Sequence, residues 1–216
     1  MLRQIGFTIG VMDQENTAAF RGKGRYHHGE LRETLIKAAR QLVVEKGAEN
    51  FSLADACRLA GVSTAAPYRH FRDKDEILEE IVARGFDEMS ERHGRALMAH
   101  GTGTQAGIIA MGQAYIAFAR EETAIFRLMF GQDPVLKKAV EVRDQGQACF
   151  AEVIKAVEAY CAANGVKGDA SFIAVKLWTF VHGAASLLID GDYAVVTPEI
   201  DVDAMIAAAS PGLLKG

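Results

Sequence analysis

From Glu30 onward the apolar residues return at helical intervals, and no stretch alternates apolar with polar long enough to make a strand. Leu31, Leu35, Ala38, Ala39, Leu42 and Val43 share one face by the i, i+3, i+4, i+7 rule, and Gly47 ends that helix. Past Gly101 the pattern predicts helices over 104–120 and over 123–130, the second ended by Gly131. Asp133-Pro134 is an N-cap with proline at the first helical position, opening a helix that runs to Asn164-Gly165. A very apolar helix follows over about 169–190, and Thr197-Pro198-Glu199 starts a last one. The chain therefore reads as all-α. Half of its 216 residues are apolar, enough for a packed core and too many for a disordered chain.

The formal net charge of −4 is unevenly spread. Residues 20–74 carry 11 Lys/Arg against 6 Asp/Glu, whereas residues 75–216 carry 12 against 20. A basic third on an acidic remainder is what a small DNA-binding head on a solvated body needs, with chance clustering as the plain alternative. Residues 1–24 show no sustained period and read as a tail, in which Met12 is a candidate translation start. Arg21, Lys23 and Arg25, with His27 and His28, form a basic arm that either touches DNA or is simply solvated. The organisation expected is a tail over 1–24, a DNA-binding unit over 25–76 and a helical body over 77–216.

Other classes lose ground. No apolar run reaches the roughly 18 to 20 residues of a membrane helix, and Met1 to Val11 reads poorly as a signal peptide. Cys57, Cys149 and Cys161 form no CxxC pair, so neither a disulfide framework nor a metal site is expected, and a cytoplasmic protein is. Cys149 and Cys161 are about 18 Å apart along one helix, too far to bridge within it; a thiol-based redox response remains an alternative. His93, His100 and His182 are scattered without HExxH, and there is no GxSxG, phosphate loop or dinucleotide fingerprint. No enzyme and no cofactor is expected.

The informative stretch lies between Phe51 and Met89. Ser52-Leu53-Ala54-Asp55 reads as a capping box, with Leu53, Ala56, Cys57 and Ala60 on the inner face behind it. Gly61 permits a tight turn, Val62 fills the space between helices, and Ser63 caps a second short helix ending near Phe71. Asp73-Lys74-Asp75-Glu76 is another capping box, opening a long helix over 74–99 with Ile77, Leu78, Ile81, Val82, Gly85, Phe86 and Met89 inward. Two short capped helices joined through a glycine make a helix-turn-helix, whose second helix enters the major groove.

The run from Gly29 to Met89 closely resembles the DNA-binding domain of the TetR family of bacterial transcriptional regulators. The match rests on Phe51-Ser52-Leu53-Ala54-Asp55-Ala56, Ala60-Gly61-Val62-Ser63 and Tyr68-Arg69-His70-Phe71-Arg72-Asp73-Lys74-Asp75-Glu76-Ile77-Leu78. The resemblance implies a three-helix N-terminal head, a homodimer on a palindromic double-stranded operator, and a C-terminal helical bundle that binds a small ligand. Carried over by position, Ser52, Tyr68, His70 and Lys74 look like phosphate contacts, and Thr64, Ala65, Ala66 and Arg69 look like base-facing residues beside Ser63. A phenol, an imidazole and an ammonium at a helix N-terminus all suit phosphate oxygens, whereas alanine offers only methyl contact, best to thymine. Pro67 departs from the family's aliphatic residue; it removes an N–H and disfavours α geometry at Ala66.

Phe126-Arg127-Leu128-Met129-Phe130-Gly131 and Trp178-Thr179-Phe180-Val181-His182-Gly183 resemble a subgroup of these C-terminal domains with a Trp…His-Gly signature. Trp178 and His182 are neighbours on one helix face. Phe86, Met89, Met111, Tyr115, Phe118, Phe126, Met129, Phe130 and Phe150, with Trp178 and His182, are candidates to line a pocket for an apolar or aromatic ligand. The plain alternative is that they pack the core and a dimer interface. Helices over about 169–190 and 199–214 are apolar on more than one face, which suits a symmetric four-helix interface. Such a dimer would set two reading heads about 34–36 Å apart, and ligand would act by shifting the long helix. Repression is expected, with activation as the alternative.

Overall fold

The computed structural model describes residues 28–215, and within them every regular element is helical. α1 (His28–Lys46) ends at Gly47, as its period predicts. A short 3-10 turn over Ala48–Asn50 leads to α2 (Leu53–Ala60), whose capping box forms in full. Ser52 Oγ accepts from the Asp55 N–H (3.2 Å), and the Asp55 carboxylate accepts from the Ser52 N–H (2.9 Å). Gly61 adopts φ 68°, a left-handed conformation; its N–H bonds to Arg58 O (3.2 Å) and that of Val62 to Cys57 O (3.0 Å). Val62 then packs against the core, filling the angle between the helices.

The second motif helix is where expectation and structure part. No α-helix spans 63–71; a single 3-10 turn, Pro67–Arg69, stands there. Pro67 has no N–H to close onto the Ser63 carbonyl, so the first α-helical bond cannot form. The Ser63 carbonyl, not its hydroxyl, accepts from Ala66 (2.9 Å), and one turn later Phe71 N bonds to Pro67 O (2.9 Å). Ala66 nevertheless sits at φ −64°, ψ −42°, in the α region that a following proline disfavours. Phe71, 2% exposed, pins the turn to the core.

α3 (Lys74–His100) runs unbroken across residue 77, the boundary expected from the sequence between a DNA-binding unit and a body. Asp73 caps it by accepting from the Glu76 N–H (3.0 Å), but Glu76 turns back to the N–H (2.8 Å) and Nε (3.0 Å) of Arg72, so the box is only half formed. α5 (Thr123–Phe130) keeps its predicted limits, and α4 (Gln105–Glu121) lies one residue later than predicted, with Thr104 as its cap. The helix expected from Asp133 to Gly165 is two: α6 (Pro134–Lys138) and α7 (Val140–Asn164). Ala139, at ψ 123°, breaks them apart, closing α6 through its N–H and opening α7 through its carbonyl. α8 (Ala170–Ile189) is capped by Asp169. A short α9 (Asp192–Val196), not foreseen, precedes α10 (Val202–Leu213). α10 starts later than Thr197 because Thr197 closes a turn with Ile200 (3.1 Å), and Asp201 supplies the cap to Ala204 N (2.9 Å).

One continuous core runs from Leu35, Phe51 and Phe71 in the head to Phe118, Phe126 and Ile206 in the body, and α3 packs into it from Ile77 to Met89. A smaller cluster of Ile108, Val157, Ile173 and Leu177 fills the far end between α4, α7 and α8. Outside the core, alternating charges stitch α1 to α3. Arg84 grips both oxygens of Glu33 (2.6 and 2.8 Å) and Glu80 (2.8 Å), and Arg32 reaches Glu80 (2.7 Å). Arg40 bridges Glu122 (2.9 Å) and Glu88 (3.4 Å), and Arg92 joins Glu88 (2.8 Å) to Glu121 (2.7 Å). Part of the basic surplus of residues 20–74 is thus spent on acidic partners.

α8 also revises the membrane reading. Among the described residues it is long and apolar enough to cross a bilayer by length and composition alone. Lys176 and His182 interrupt the run without lowering its average below that of a spanning helix.

Candidate functional site

Two arrangements stand out, one at the start of α3 and one along its middle turns. At the head, the turn 63–70 presents Ser63, Thr64, Ala65, Tyr68 and Arg69 to solvent, while Ala66 and His70 are half-buried. Tyr68 is 66% exposed, which is unusual for a phenol with nothing to cover it. Ser52, also exposed, opens α2 on the neighbouring segment. Lys74 joins the two: its Nζ donates to the Ala48 carbonyl (3.0 Å) and lies 5.2 Å from the centre of the Phe51 ring. Two ammonium protons remain for an anion beside the first turn of α3. Arg58 pairs with Asp55 (3.0 Å) and Arg72 with Glu76 (3.0 Å), whereas Arg69 has no ion-pair partner among the described residues. Arg25 lies outside the described residues.

In the body, a cavity of about 460 Å³ opens between α3, α4, α7, α8 and α10. Phe86, Met89, Met111, Tyr115, Phe150 and Trp178 line it, and so does Phe130. Phe118, Phe126, Met129 and His182 do not. Phe118 is 0% exposed beneath the Arg92 guanidinium (5.3 Å from the ring), and Met129 fills the notch at Gly85. Phe126 packs among Tyr115, Phe130 and His182, with centroids 5.5, 4.8 and 5.7 Å away. Phe118, Phe126 and Met129 belong instead to the common core. His182 stands behind the wall, its Nδ1 2.8 Å from the Tyr115 hydroxyl.

The wall also contains residues that sequence reasoning missed. His93 lies four positions beyond Met89 and seven beyond Phe86, so helical spacing alone could have placed it there. Gly112 and Gly146 create room: a Cβ built on the first would meet Ile206 at 3.0 Å and on the second the Phe86 ring at 3.3 Å. Arg143 and Gln147, both exposed on α7, border the opening.

Burial governs the titrations here. It pushes His93 down to about 4 and lowers His182, and it raises the Tyr115 phenol well above its usual value. It also raises the Cys57 and Cys149 thiols, which keeps both protonated and poor reactants towards oxidants. No group of acidic, His or Cys side chains suited to a metal ion occurs among the described residues.

Two family models match separate stretches of the chain. Residues 35–81 match the family model described as bacterial regulatory proteins, tetR family, and residues 108–209 that described as tetracyclin repressor-like, C-terminal domain. The HTH-type transcriptional activator FasR of Mycolicibacterium smegmatis is 28% identical over 151 residues, 64% of this chain and 68% of that protein. The HTH-type transcriptional repressor BepR of Brucella suis is 38% identical over 55 residues, so the match spans about a quarter of its length (26%) and 26% of this chain. A solved structure of a protein of unknown function from Rhodococcus sp. RHA1 superposes with a TM-score of 0.77 at 31% identity, covering 89% of this chain and 97% of that one.

Proposed function

The chain belongs to the TetR family of bacterial transcriptional regulators, DNA-binding proteins rather than enzymes, and from that premise we propose that it is a ligand-responsive, dimeric repressor acting in the cytoplasm. The observation that carries this reading is the double duty of α3. It opens with Lys74 beside the reading turn and, three to five turns on, lines the cavity with Phe86, Met89 and His93. A ligand that prefers a different placement of this helix biases the head by its differential affinity for the two placements.

The proposed DNA face is Ser52, Ser63–Ala66, Tyr68, Arg69, His70 and Lys74, with Arg25 of the preceding arm. Ser52, Tyr68, His70 and Lys74 hold phosphates, and Arg69 is the one long donor able to reach a guanine edge. Lys74→Ala should weaken binding to all sequences alike and reduce the slope of log affinity on log salt by about 1. An unchanged slope in a filter-binding titration would refute the phosphate role.

For the dimer, α8 offers Phe172, Val175 and Leu187 at 61, 42 and 42% exposure along one stripe that includes Gly183, where a Cβ would meet nothing within 4 Å. With α10 this makes the proposed four-helix interface and sets the heads one DNA turn apart. Selection of random double-stranded DNA by the purified protein at about 0.15 M salt tests the whole reading. Enrichment of a palindrome is the expected result. A folded protein that enriches nothing, with and without candidate ligands, would overturn it.

A further inference from the structure

The polar groups on the cavity wall narrow the ligand. The Tyr115 hydroxyl is engaged with His182 (2.8 Å), and the Ser210 hydroxyl donates to Ile206 O (2.7 Å). His93 is different. It is 4% exposed, its ring lies nearly parallel to Tyr115 (14°, centroids 6.4 Å apart), and its buried Nδ1 has no hydrogen-bond partner among the described residues. A buried polar atom left in that state is costly unless something completes it.

We propose that the cavity takes an apolar ligand bearing a single neutral hydrogen-bonding group, a hydroxyl or a carbonyl, and that this group is received by His93. The inference rests on reading the cavity as the effector site. Neutrality follows from the surroundings. Among the described residues no acidic side chain lines the cavity, and its wall on α4, α7, α8 and α10 is mostly apolar. Desolvation keeps the imidazole uncharged at neutral pH, so it offers one donor and one acceptor. A carboxylate placed there would be a buried charge without a fixed partner. Among the described residues Arg143 is the one cation at the cavity, but it sits at the opening, 57% exposed and 3.8 Å from Asp144, where solvent screens it.

Trp178 is the chain's single tryptophan and part of the wall, so its emission reports entry. The probes are 1-decanol, 1-chlorodecane of equal length, and decanoate, titrated against the full chain and against His93→Phe and His93→Gln. His93→Phe should reduce the decanol-to-chlorodecane affinity ratio about tenfold, the equivalent of one hydrogen bond, while His93→Gln retains most of it. An unchanged ratio in His93→Phe would overturn the anchor and leave the cavity as a ligand site. Decanoate binding more tightly than decanol, with no dependence on His93, would overturn it in favour of an anion held at Arg143. A silent Trp178 with all three probes would overturn both the anchor and the reading of the cavity beneath it.

Discussion

Acidification from pH 7 to pH 4 should cost this protein about 3 kcal/mol of folding stability through His93 alone. In the fold its imidazole titrates at about 4, and in the unfolded chain at about 6.5. Between those values the unfolded state binds the extra proton and the folded state does not, so stability falls as pH falls. The contribution is complete above about pH 6.5 and is gone by about pH 4. His182, half-buried, is shifted the same way and adds to the same window. The carboxylates held low by arginines, Glu33 and Glu80 among them, give stability that is full above the ordinary Glu value and is lost as pH falls through their lower values in the fold. His93→Leu separates the effects. It should gain about 1 to 3 kcal/mol at pH 7 by removing an unsatisfied buried polar atom, and flatten the dependence between pH 4 and 6.5. Urea unfolding at several pH values measures both. A mutant with the wild-type pH profile would show that His93 is hydrated or partnered in solution.

Phe118→Ala should lose about 3 to 5 kcal/mol, the range for emptying a fully packed aromatic site. Its ring is 0% exposed, between the Arg92 guanidinium and the common core of head and body. Phe150→Ala should lose much less, because that ring already borders a void on one side and is only half-buried. The two substitutions delete the same atoms, so the difference isolates what lies opposite each ring. Equal losses in chemical denaturation would mean that the cavity is filled or collapsed in solution.

Much of the head was legible in the sequence. The Ser52–Asp55 box, the left-handed Gly61 with Val62 behind it, and Cys57 and Phe71 as core residues all appear in the structure where their neighbours predicted them. The proline at position 67 carried a warning about the reading helix, and a 3-10 turn stands there in its place. The cavity was half legible. Phe86, Met89, Met111, Tyr115, Phe150 and Trp178 reach the wall, but Phe118, Phe126 and Met129 have the same composition and spacing and face the core. His93 went unnoticed as a wall residue although its spacing from Phe86 and Met89 was in plain view.

What the sequence determined by itself is most of the helices, most of their caps and the tight turn, because those interactions join residues within about four positions of one another. The breaks at Ala139 and before Asp201 lie at the edge of that range and were missed. Only the tertiary structure decided which aromatics border a void, which histidine is buried without a partner, and which basic residues of the head are spent on α3. Those outcomes depend on what a distant helix places opposite each side chain. Gly112 facing Ile206, Gly146 facing Phe86, and Glu80 between Arg32 and Arg84 are pairings across 48 to 94 positions of chain for all but the local Arg84, and no local rule reaches so far.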